Sequence, residues 1–325
     1  MNFCVACDPE TERGRLQPMN LRQLEYFKQI AELRSMTRAA HLLHMTQPSL
    51  TRQMQQLEKE LGVLLFNRSD KGVVLTPAGQ ELLERAESVL GQVRRIGDDI
   101  SKYATEPKGE LSFGLPPSLF DVVTTRLIAD YALQYPEVRL RITEGLSANL
   151  HELVLTGKLD AALVSDVEPL GLLSSRAMLS EQLYLVGSIH SQLEIDRSVE
   201  VSSLLSRPML LTSLPNAMRT VVDRQLAERG ERLQPLLETN SARLLCDLVM
   251  RGVGFTVLPY SAINVLHRGG QLSAAPIEGL EICWTLVNAK DRSFSLAGHK
   301  LRERLTDVLQ RQARLGWWRG ARWLG

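Results

Sequence analysis

The sequence predicts an α/β protein with an N-terminal winged helix-turn-helix, a long linker helix and a C-terminal α/β domain of two subdomains. Apolar residues recur three and four positions apart through most of the first hundred residues, which is helical spacing. Two short strand-like runs lie near residue 70, and from about residue 109 strands and helices alternate. A chain of 325 residues, 44% of them hydrophobic, is long enough for two or three domains with cores.

The first eighteen residues carry no such pattern, and we expect residues 1–18 to be a disordered extension. They lack the basic start and apolar segment of a signal peptide, and no stretch of the chain reaches the roughly 20 apolar residues of a membrane span. A cytoplasmic protein is therefore expected. Cys4 and Cys7 form a CxxC motif, but no second pair follows at zinc-site spacing, so neither a metal nor a cofactor is predicted.

Three helices are predicted between residues 21 and 62. Ser35 is a suitable N-cap for the second helix, and Thr46 for the third, whose first turn contains Pro48. Gly62 then ends the third helix. Its apolar side is a single stripe formed by Leu50, Met54, Leu57 and Leu61.

The opposite side of the third helix carries hydrogen-bonding side chains. Arginine can bond guanine, glutamine can bond adenine, and hydroxyls can bond phosphate, so such a face on the second helix of a tight pair is typical of a helix-turn-helix in the major groove. An ordinary solvated helix would also have a polar face. The candidate residues are Gln47, Ser49, Thr51, Arg52, Gln55, Gln56 and Lys59.

A hairpin is predicted next, with strands at 64–66 and 73–75 and with Arg68 and Lys71 at its tip, suited to contact phosphate or the minor groove. Thr76 and Pro77 then begin a long helix. Its apolar residues are spaced in heptads, which indicates a paired helix and hence a dimer; packing against the next domain is the alternative. The predicted seam is Leu82, Ala86, Val89, Val93, Ile96, Ile100 and Tyr103.

Beyond residue 109, the predicted strands are 111–115, 138–143, 159–164, 183–187, 208–212, 255–258 and 282–287, with helices at 118–135, 147–157, 218–229 and 241–251. Hydroxyl and amide side chains lie where helices follow strands. Free N–H groups at helix starts favour an anion, and ligands of such sheets bind at the carboxyl ends of strands. Helix capping would explain any single one of them. The candidate effector-binding residues are Ser118, Ser147, Thr212, Ser213, Asn216 and Ser241.

Several linked motifs resemble a LysR-type transcriptional regulator. They include Thr46-Gln47-Pro48-Ser49-Leu50-Thr51-Arg52 and Leu75-Thr76-Pro77-Ala78-Gly79 in the first part, and Gly252-Val253-Gly254-Phe255 in the second. Other stretches, 181–187 and 256–262, are similar to the nitrogen assimilation control subgroup. The resemblance covers about residues 19–310.

The resemblance implies a winged helix-turn-helix at 19–76, a dimerisation helix at 77–105 and a periplasmic-binding-protein-like effector domain at 109–310. Subdomain I would comprise 109–181 and 281–310, and subdomain II 182–280. By position, Gln47, Pro48, Thr51 and Arg52 would face bases, with Arg68 and Lys71 on the backbone or in the minor groove. The expected partners are promoter DNA, a small effector, RNA polymerase and further copies of the chain in a homodimer or homotetramer.

Other function classes have less support. The histidines show no metal-site spacing, and no GxSxG, Walker or strand-linked GxGxxG motif occurs, so an enzyme is not expected. A solute-binding protein, or a regulator that acts without an effector, remains an alternative. The tail at 311–325 contains three Trp and is expected to be poorly ordered; phosphate or membrane-surface contact is the other interpretation.

The net charge of +1 conceals a segregation of charge along the chain. Residues 19–76 contain eight Lys/Arg and five Asp/Glu, and residues 300–325 contain seven and two. A basic N-terminal unit and a basic tail therefore flank an acidic middle, and the near-zero total does not exclude DNA binding.

Overall fold

The computed structural model describes residues 19–69, 72–101, 106–165, 172–290 and 294–325. The predictions for residues 1–18, Lys71 and Tyr103 lie outside these ranges. The chain divides into two compact units, one ending at Arg94 and the other beginning at Arg95. The predicted fold class is confirmed by both units, while the predicted domain and subdomain bounds stay predictions.

The N-terminal unit contains three helices, a hairpin and the start of a long helix. Two caps are confirmed: Ser35 Oγ accepts the Arg38 N–H, and Gly62 ends the third helix with φ 70°. Thr46 occupies the third N-cap position, but its side chain makes no capping bond. The elements are α1 (Leu21–Leu33), α2 (Met36–Leu42), α3 (Gln47–Leu61), β1 (Phe66–Ser69), β2 (Gly72–Leu75) and α4 (Pro77–Ser101).

The core of this unit forms where the first three helices meet the start of the hairpin. Ala39 and Ala40 are buried, and small residues allow close approach of neighbouring helices. The predicted stripe of α3 is correct for three of its four residues. Leu61 is exposed, because it lies in the last turn, beyond the residues packed by α1 and α2. The buried core consists of Phe27, Ile30, Ala39, Ala40, Leu50, Met54, Leu57 and Leu65.

The C-terminal unit is built on one mixed sheet and one two-stranded parallel sheet, together with helices. Its strands are β3 (Gly109–Leu115), β4 (Val138–Glu144), β5 (Ala161–Ser165), β6 (Leu173–Ser188), β7 (Leu210–Leu211), β8 (Leu237–Glu238), β9 (Thr256–Pro259), β10 (Leu272–Ala289) and β11 (Ala321–Trp323). Its helices are α5 (Thr125–Gln134), α6 (Ser147–Leu155), α7 (Ala217–Ala227), α8 (Ala242–Met250), α9 (Tyr260–Arg268) and α10 (Leu296–Arg314).

Within the described residues the main sheet has the order β11-β6-β10-β5-β3-β4, and β9 also pairs with β6. The long strands β6 and β10 are antiparallel to each other and are shared by two halves of the unit. The β10 residues from Trp284 onward pair with β5, whereas the β6 residues from Leu183 onward pair with β9. We call the half with β3, β4 and β5 subdomain I, the half with β7, β8 and β9 subdomain II, and the shared middle of β6 and β10 the crossover.

Several predicted elements of this unit differ in detail. The helix predicted from Ser118 is instead a 3₁₀ turn (Pro117–Leu119), a π turn (Phe120–Thr124) and α5. The strands predicted at 183–187 and 282–287 are parts of β6 and β10, which have 16 and 18 residues. The strand predicted at 208–212 is limited to the two residues of β7.

The C-terminal tail is ordered, and the prediction of a poorly ordered terminus was wrong. Residues of β11 pair with the middle of β6, with Ala321 opposite Glu181 and Trp323 opposite Leu179. Trp318 is buried, with 1% of its surface exposed. This burial comes from contacts with residues more than a hundred positions away, which the local sequence does not reveal.

Candidate nucleic-acid interface and effector domain

The outer face of α3 is available for contact with DNA. Gln47, Pro48, Ser49, Arg52 and Gln55 are exposed and Thr51 is half-buried, while Leu50, Met54 and Leu57 are held in the core. The helical period therefore keeps the proposed reading side chains on the side opposite the core.

The turn between α2 and α3 holds α3 in place. His44 adopts φ 52°, and the Met45 N–H donates to the Ala40 carbonyl at 2.9 Å. The Thr37 hydroxyl donates to Gln47 Oε1 at 3.4 Å, a long contact at the start of α3. Backbone bonds and buried alanines therefore fix the angle between the helices, and most of the polar face remains unoccupied by protein contacts.

The hairpin is attached to the three helices by specific bonds. Glu58 Oε1 accepts the backbone N–H groups of Leu65 and Phe66 at 2.8 and 3.2 Å, which joins the hairpin to α3. The Val73 N–H donates to the Arg34 carbonyl at 3.2 Å, which joins it to the end of α1. The wing therefore has a fixed position relative to α3.

The placement of Arg68 at the tip of the hairpin was wrong. Arg68 lies within β1, opposite Val73. The strand begins later than predicted, at Phe66. Before it, the Thr76 hydroxyl donates to the Leu64 carbonyl at 2.7 Å and the Thr76 N–H donates to the Leu65 carbonyl at 3.0 Å.

The proposed seam on α4 is apolar and partly uncovered in the single chain. Leu82 packs against the core of the N-terminal unit and Ala86 is buried. Val89, Val93 and Ile96 are 38%, 38% and 60% exposed. An apolar row with this exposure needs a cover, and a second copy of α4 would provide one.

The candidate effector residues of subdomain I lie at the carboxyl ends of neighbouring parallel strands. Ser118 was predicted at the start of an α-helix. It lies instead in the 3₁₀ turn after β3 and caps no α-helix. Ser147 is the first residue of α6 and not its cap; its hydroxyl accepts the Ser165 N–H and contacts Ser165 Oγ, both at 3.0 Å. The strand order brings these three segments to one edge of the sheet, because β4 and β5 both pair with β3.

The candidates of subdomain II follow the parallel strands β7 and β8. Asn216 and Ser241 are confirmed as helix caps: Asn216 Oδ1 accepts the Met218 N–H at 3.1 Å and Ser241 Oγ accepts the Leu244 N–H at 3.2 Å. Thr212 is buried, while Ser213 is half-buried. No group of three His, Cys, Asp or Glu that could hold a metal ion occurs among the described residues.

Sequence reasoning missed a buried arginine beside this group. The Arg219 guanidinium donates to the Thr212 carbonyl at 3.3 Å, to Asp223 at 2.8 Å and to Glu238 at 2.8 Å. Arg219 lies in the first turn of α7, and its bonds to Thr212 and Glu238 attach the start of that helix to the residue after β7 and to β8. The neighbouring Asp223 at i+4 was the only local signal for this network.

A second missed feature is a buried carboxylate in the crossover. Glu181 is fully buried and accepts bonds from Trp284 Nε1, Trp318 Nε1, the Ser261 N–H and the Ser261 hydroxyl. Burial raises the pKa of Glu181 to about 7, because desolvation outweighs these four bonds.

Comparison with known proteins identifies the family. Residues 21–80 match the model of the bacterial regulatory helix-turn-helix protein, lysR family, and residues 104–310 match the LysR substrate binding domain. The chain belongs to the LysR family. It is a DNA-binding transcriptional regulator, and the resemblance seen in the sequence is confirmed. No helix in the described ranges is both long and apolar enough to cross a membrane.

Relatives of this LysR regulator align over most of its length. The HTH-type transcriptional regulator BbuR of Bordetella bronchiseptica is 32% identical over 93% of this chain and 94% of its own. The nitrogen assimilation regulatory protein nac of Escherichia coli is 31% identical over 76% of this chain and 81% of its own. Because the chain is similar to BbuR and to nac to nearly the same degree, its assignment to the nitrogen assimilation control subgroup stays a prediction.

The fold is also that of a solved regulator. Full-length CbnR complexed with its target DNA has a TM-score of 0.65 and 24% identity, covering 91% of this chain and 100% of that chain. This likeness supports the fold of both parts of the chain.

Proposed function

We propose that this protein binds promoter half-sites as a dimer or tetramer, with α3 in the major groove, and that a small anionic metabolite bound in its C-terminal unit changes the assembly. The observation that carries this proposal is the exposed face of Gln47, Ser49, Arg52 and Gln55 on a helix fixed by its opposite face. Arg52 is the residue best suited to bond guanine bidentately, and Gln47 and Gln55 are suited to adenine.

Arg52→Ala tests the proposed recognition helix. A bidentate arginine contact is worth about 1–3 kcal/mol, so the variant should bind a selected site about 10- to 100-fold more weakly and lose preference at one base pair per half-site. The measurement is selection from random DNA with the full-length protein, followed by titration of the selected site.

The charge-matched control is Arg22→Ala on α1, which also removes an exposed cation from the N-terminal unit. Control and wild type should select the same sequence. Equal selection by Arg52→Ala would exclude a base contact by Arg52, and failure of wild type to enrich any sequence would contradict the proposed DNA recognition.

Dimer formation is proposed through the row of Val89, Val93 and Ile96 on α4. Pairing two N-terminal units would place two α3 helices about one DNA turn apart, the spacing of half-sites on one face of the duplex. Two such dimers bound to separated half-sites would bend the DNA between them, and a change in the bend would alter contact with RNA polymerase.

Effector binding is proposed at the strand ends of the two subdomains. Ser147, Asn216 and Ser241 lie at the starts of α6, α7 and α8, where helix N–H groups favour an anion. Ser118, Thr212 and Ser213 lie in the segments that follow strands β3 and β7. A carboxylate metabolite has the required charge. A site of this kind needs no reacting group, and we propose that the protein is not an enzyme and acts in the cytoplasm, where promoter DNA is found.

Ser118→Ala and Asn216→Ala test this placement. Each should weaken the shift in melting temperature that full-length protein shows with a panel of mono- and dicarboxylates, and each should leave operator affinity unchanged. Ser206→Ala, an exposed serine outside the proposed site, is the control. Normal ligand shifts in both variants would place the effector elsewhere.

A further inference from the structure

The C-terminal tail runs along the crossover and contacts both subdomains. On the side of subdomain II, the Arg268 guanidinium lies 4.1 Å from the Trp317 ring centroid, and Arg319 pairs with Asp196 at 3.0 Å. On the side of subdomain I, the Leu324 N–H donates to the Met178 carbonyl at 3.0 Å. Residues 317–324 therefore span the boundary between the subdomains.

Backbone bonds seat the tail on the crossover itself. The Gln182 N–H donates to the Gly320 carbonyl at 3.0 Å, next to the pairing of Ala321 with Glu181. Gly320 has φ 71°, and a Cβ there would come within 2.6 Å of the Gln182 side chain and 2.7 Å of Tyr184 Oη. Only glycine allows this close approach without displacement of the strand.

Glu181, in β6, joins three other segments at this point, and the tail is one of them. Its Oε1 accepts Trp318 Nε1–H at 2.6 Å and the Ser261 N–H at 2.7 Å, and its Oε2 accepts Trp284 Nε1–H at 2.6 Å. These donors belong to the tail, to the first turn of α9 and to β10. A buried carboxylate is tolerated only when its bonds are complete, so loss of one donor weakens the attachment of all the segments.

The tail also connects to the proposed effector site through α9. Glu181 binds the N-terminal turn of α9, and α9 packs against the 117–124 segment that contains Ser118. A change in the tail can therefore reach the segment between strand β3 and α5 through two consecutive contacts.

Several aromatic and basic side chains of the tail have partners within the C-terminal unit, whereas phosphate or membrane-surface contact stays an untested prediction. Trp318 is buried, and the guanidinium groups of Arg319 and Arg322 face Asp196 and Glu281. Trp318 therefore belongs to the core of the C-terminal unit, and Arg319 and Arg322 are paired at its surface.

We propose that residues 315–325 form a strap across the crossover that sets the opening between the two subdomains, with Glu181 as its buried anchor. Its regulatory meaning rests on the proposed effector function, because the opening between subdomains is what an effector would change. The mechanical part concerns the C-terminal unit alone. Weakening the strap should loosen the crossover and α9 while both subdomains stay folded.

Amide hydrogen exchange on the full-length protein tests the strap. Trp318→Phe removes the indole donor and keeps a smaller aromatic ring, and Gly320→Ala displaces the strand without changing Glu181. Both should raise exchange at Gln182, at Ser261 and in the crossover part of β10 by about tenfold or more, with β3 and β5 unchanged. Leu315→Ala, which shortens an exposed side chain at the start of the same segment, is the control.

Two results would overturn the strap. Unchanged exchange at the crossover in both variants would show that the tail carries no restraint, and an equal rise throughout both subdomains would show a general stabilising role only. Operator selection by the same variants separates this outcome from the proposed function: the N-terminal unit should still select its site. Absence of selection in wild type would contradict the function without affecting the exchange result.

Discussion

Replacing Glu181 by glutamine should remove a pH dependence of stability that this carboxyl creates. The folded state keeps the Glu181 proton up to a pKa of about 7, whereas the reference pKa is 4.5. Between pH 4.5 and about pH 7, folding is therefore coupled to the uptake of a proton by Glu181. The stability that this proton contributes is fully present below pH 4.5 and is lost as the pH rises through about 7. The difference corresponds to about 3 kcal/mol in the free energy of unfolding.

Glu181→Gln fixes the site in a neutral form at a constant cost. The amide can present its NH₂ to the Ser261 hydroxyl, which can reverse and accept, but the Trp284 N–H that shares this carboxylate oxygen then loses its acceptor. An unpaired buried donor costs about 1–3 kcal/mol. At about pH 5 the free energy of unfolding of the variant should therefore be lower than that of wild type. At about pH 8, where wild type carries the buried charge, the variant should be as stable as wild type or more stable.

Urea unfolding of the full-length protein measures this effect. All four tryptophans lie between residues 284 and 323, so their fluorescence reports on the C-terminal unit alone. The neighbouring Tyr184 and Tyr260 have raised pKa values and His267 a lowered one, all through burial first, and they are present in both proteins. The raised pKa of Tyr184, about 12, depends partly on the Glu181 charge but lies well above the pH range compared, and the other two groups contribute alike to both proteins. Parallel pH profiles of variant and wild type would refute the reasoning.

Two further predictions concern the N-terminal unit and α4. Leu50→Ala empties a fully buried position of α3 and should lower the free energy of unfolding by about 2–5 kcal/mol. Far-ultraviolet circular dichroism of the full-length protein in urea measures this change. A change no larger than that of Leu61→Ala, an exposed control, would contradict the core assignment. Val93→Glu places a charge in the proposed seam and should yield monomers in sedimentation experiments; a wild-type profile would exclude pairing through this row.

The N-terminal unit was largely predictable because its determinants are local. Ser35, Gly62 and the stripe from Leu50 to Leu57 each act within one helix or its ends, and the structure places them as predicted. The failure at Arg68 shows the limit. Just before β1, Thr76 bonds to Leu64 and Leu65, and no pattern within the strand itself encodes these contacts.

The C-terminal unit was predictable in its alternation but not in its connections. The sequence identified parts of β6 and β10, yet not that they extend across both subdomains, because their pairing joins residues about a hundred positions apart. The same reason explains the error in the tail. Glu181 and Trp318 are 137 positions apart, and the only sequence signal was the unusual density of tryptophan near the C-terminus.

The distribution of charge explains why pairing through α4 would matter for DNA binding. Residues 19–76 have only three more basic than acidic side chains, so the electrostatic attraction of one unit to the phosphate backbone is limited. A dimer holding two α3 helices at fixed spacing makes the second contact intramolecular, which raises affinity without additional charge. In such a dimer, affinity would depend on the relative position of the two N-terminal units. A change in the C-terminal units that shifted this position would alter binding without any movement within α3.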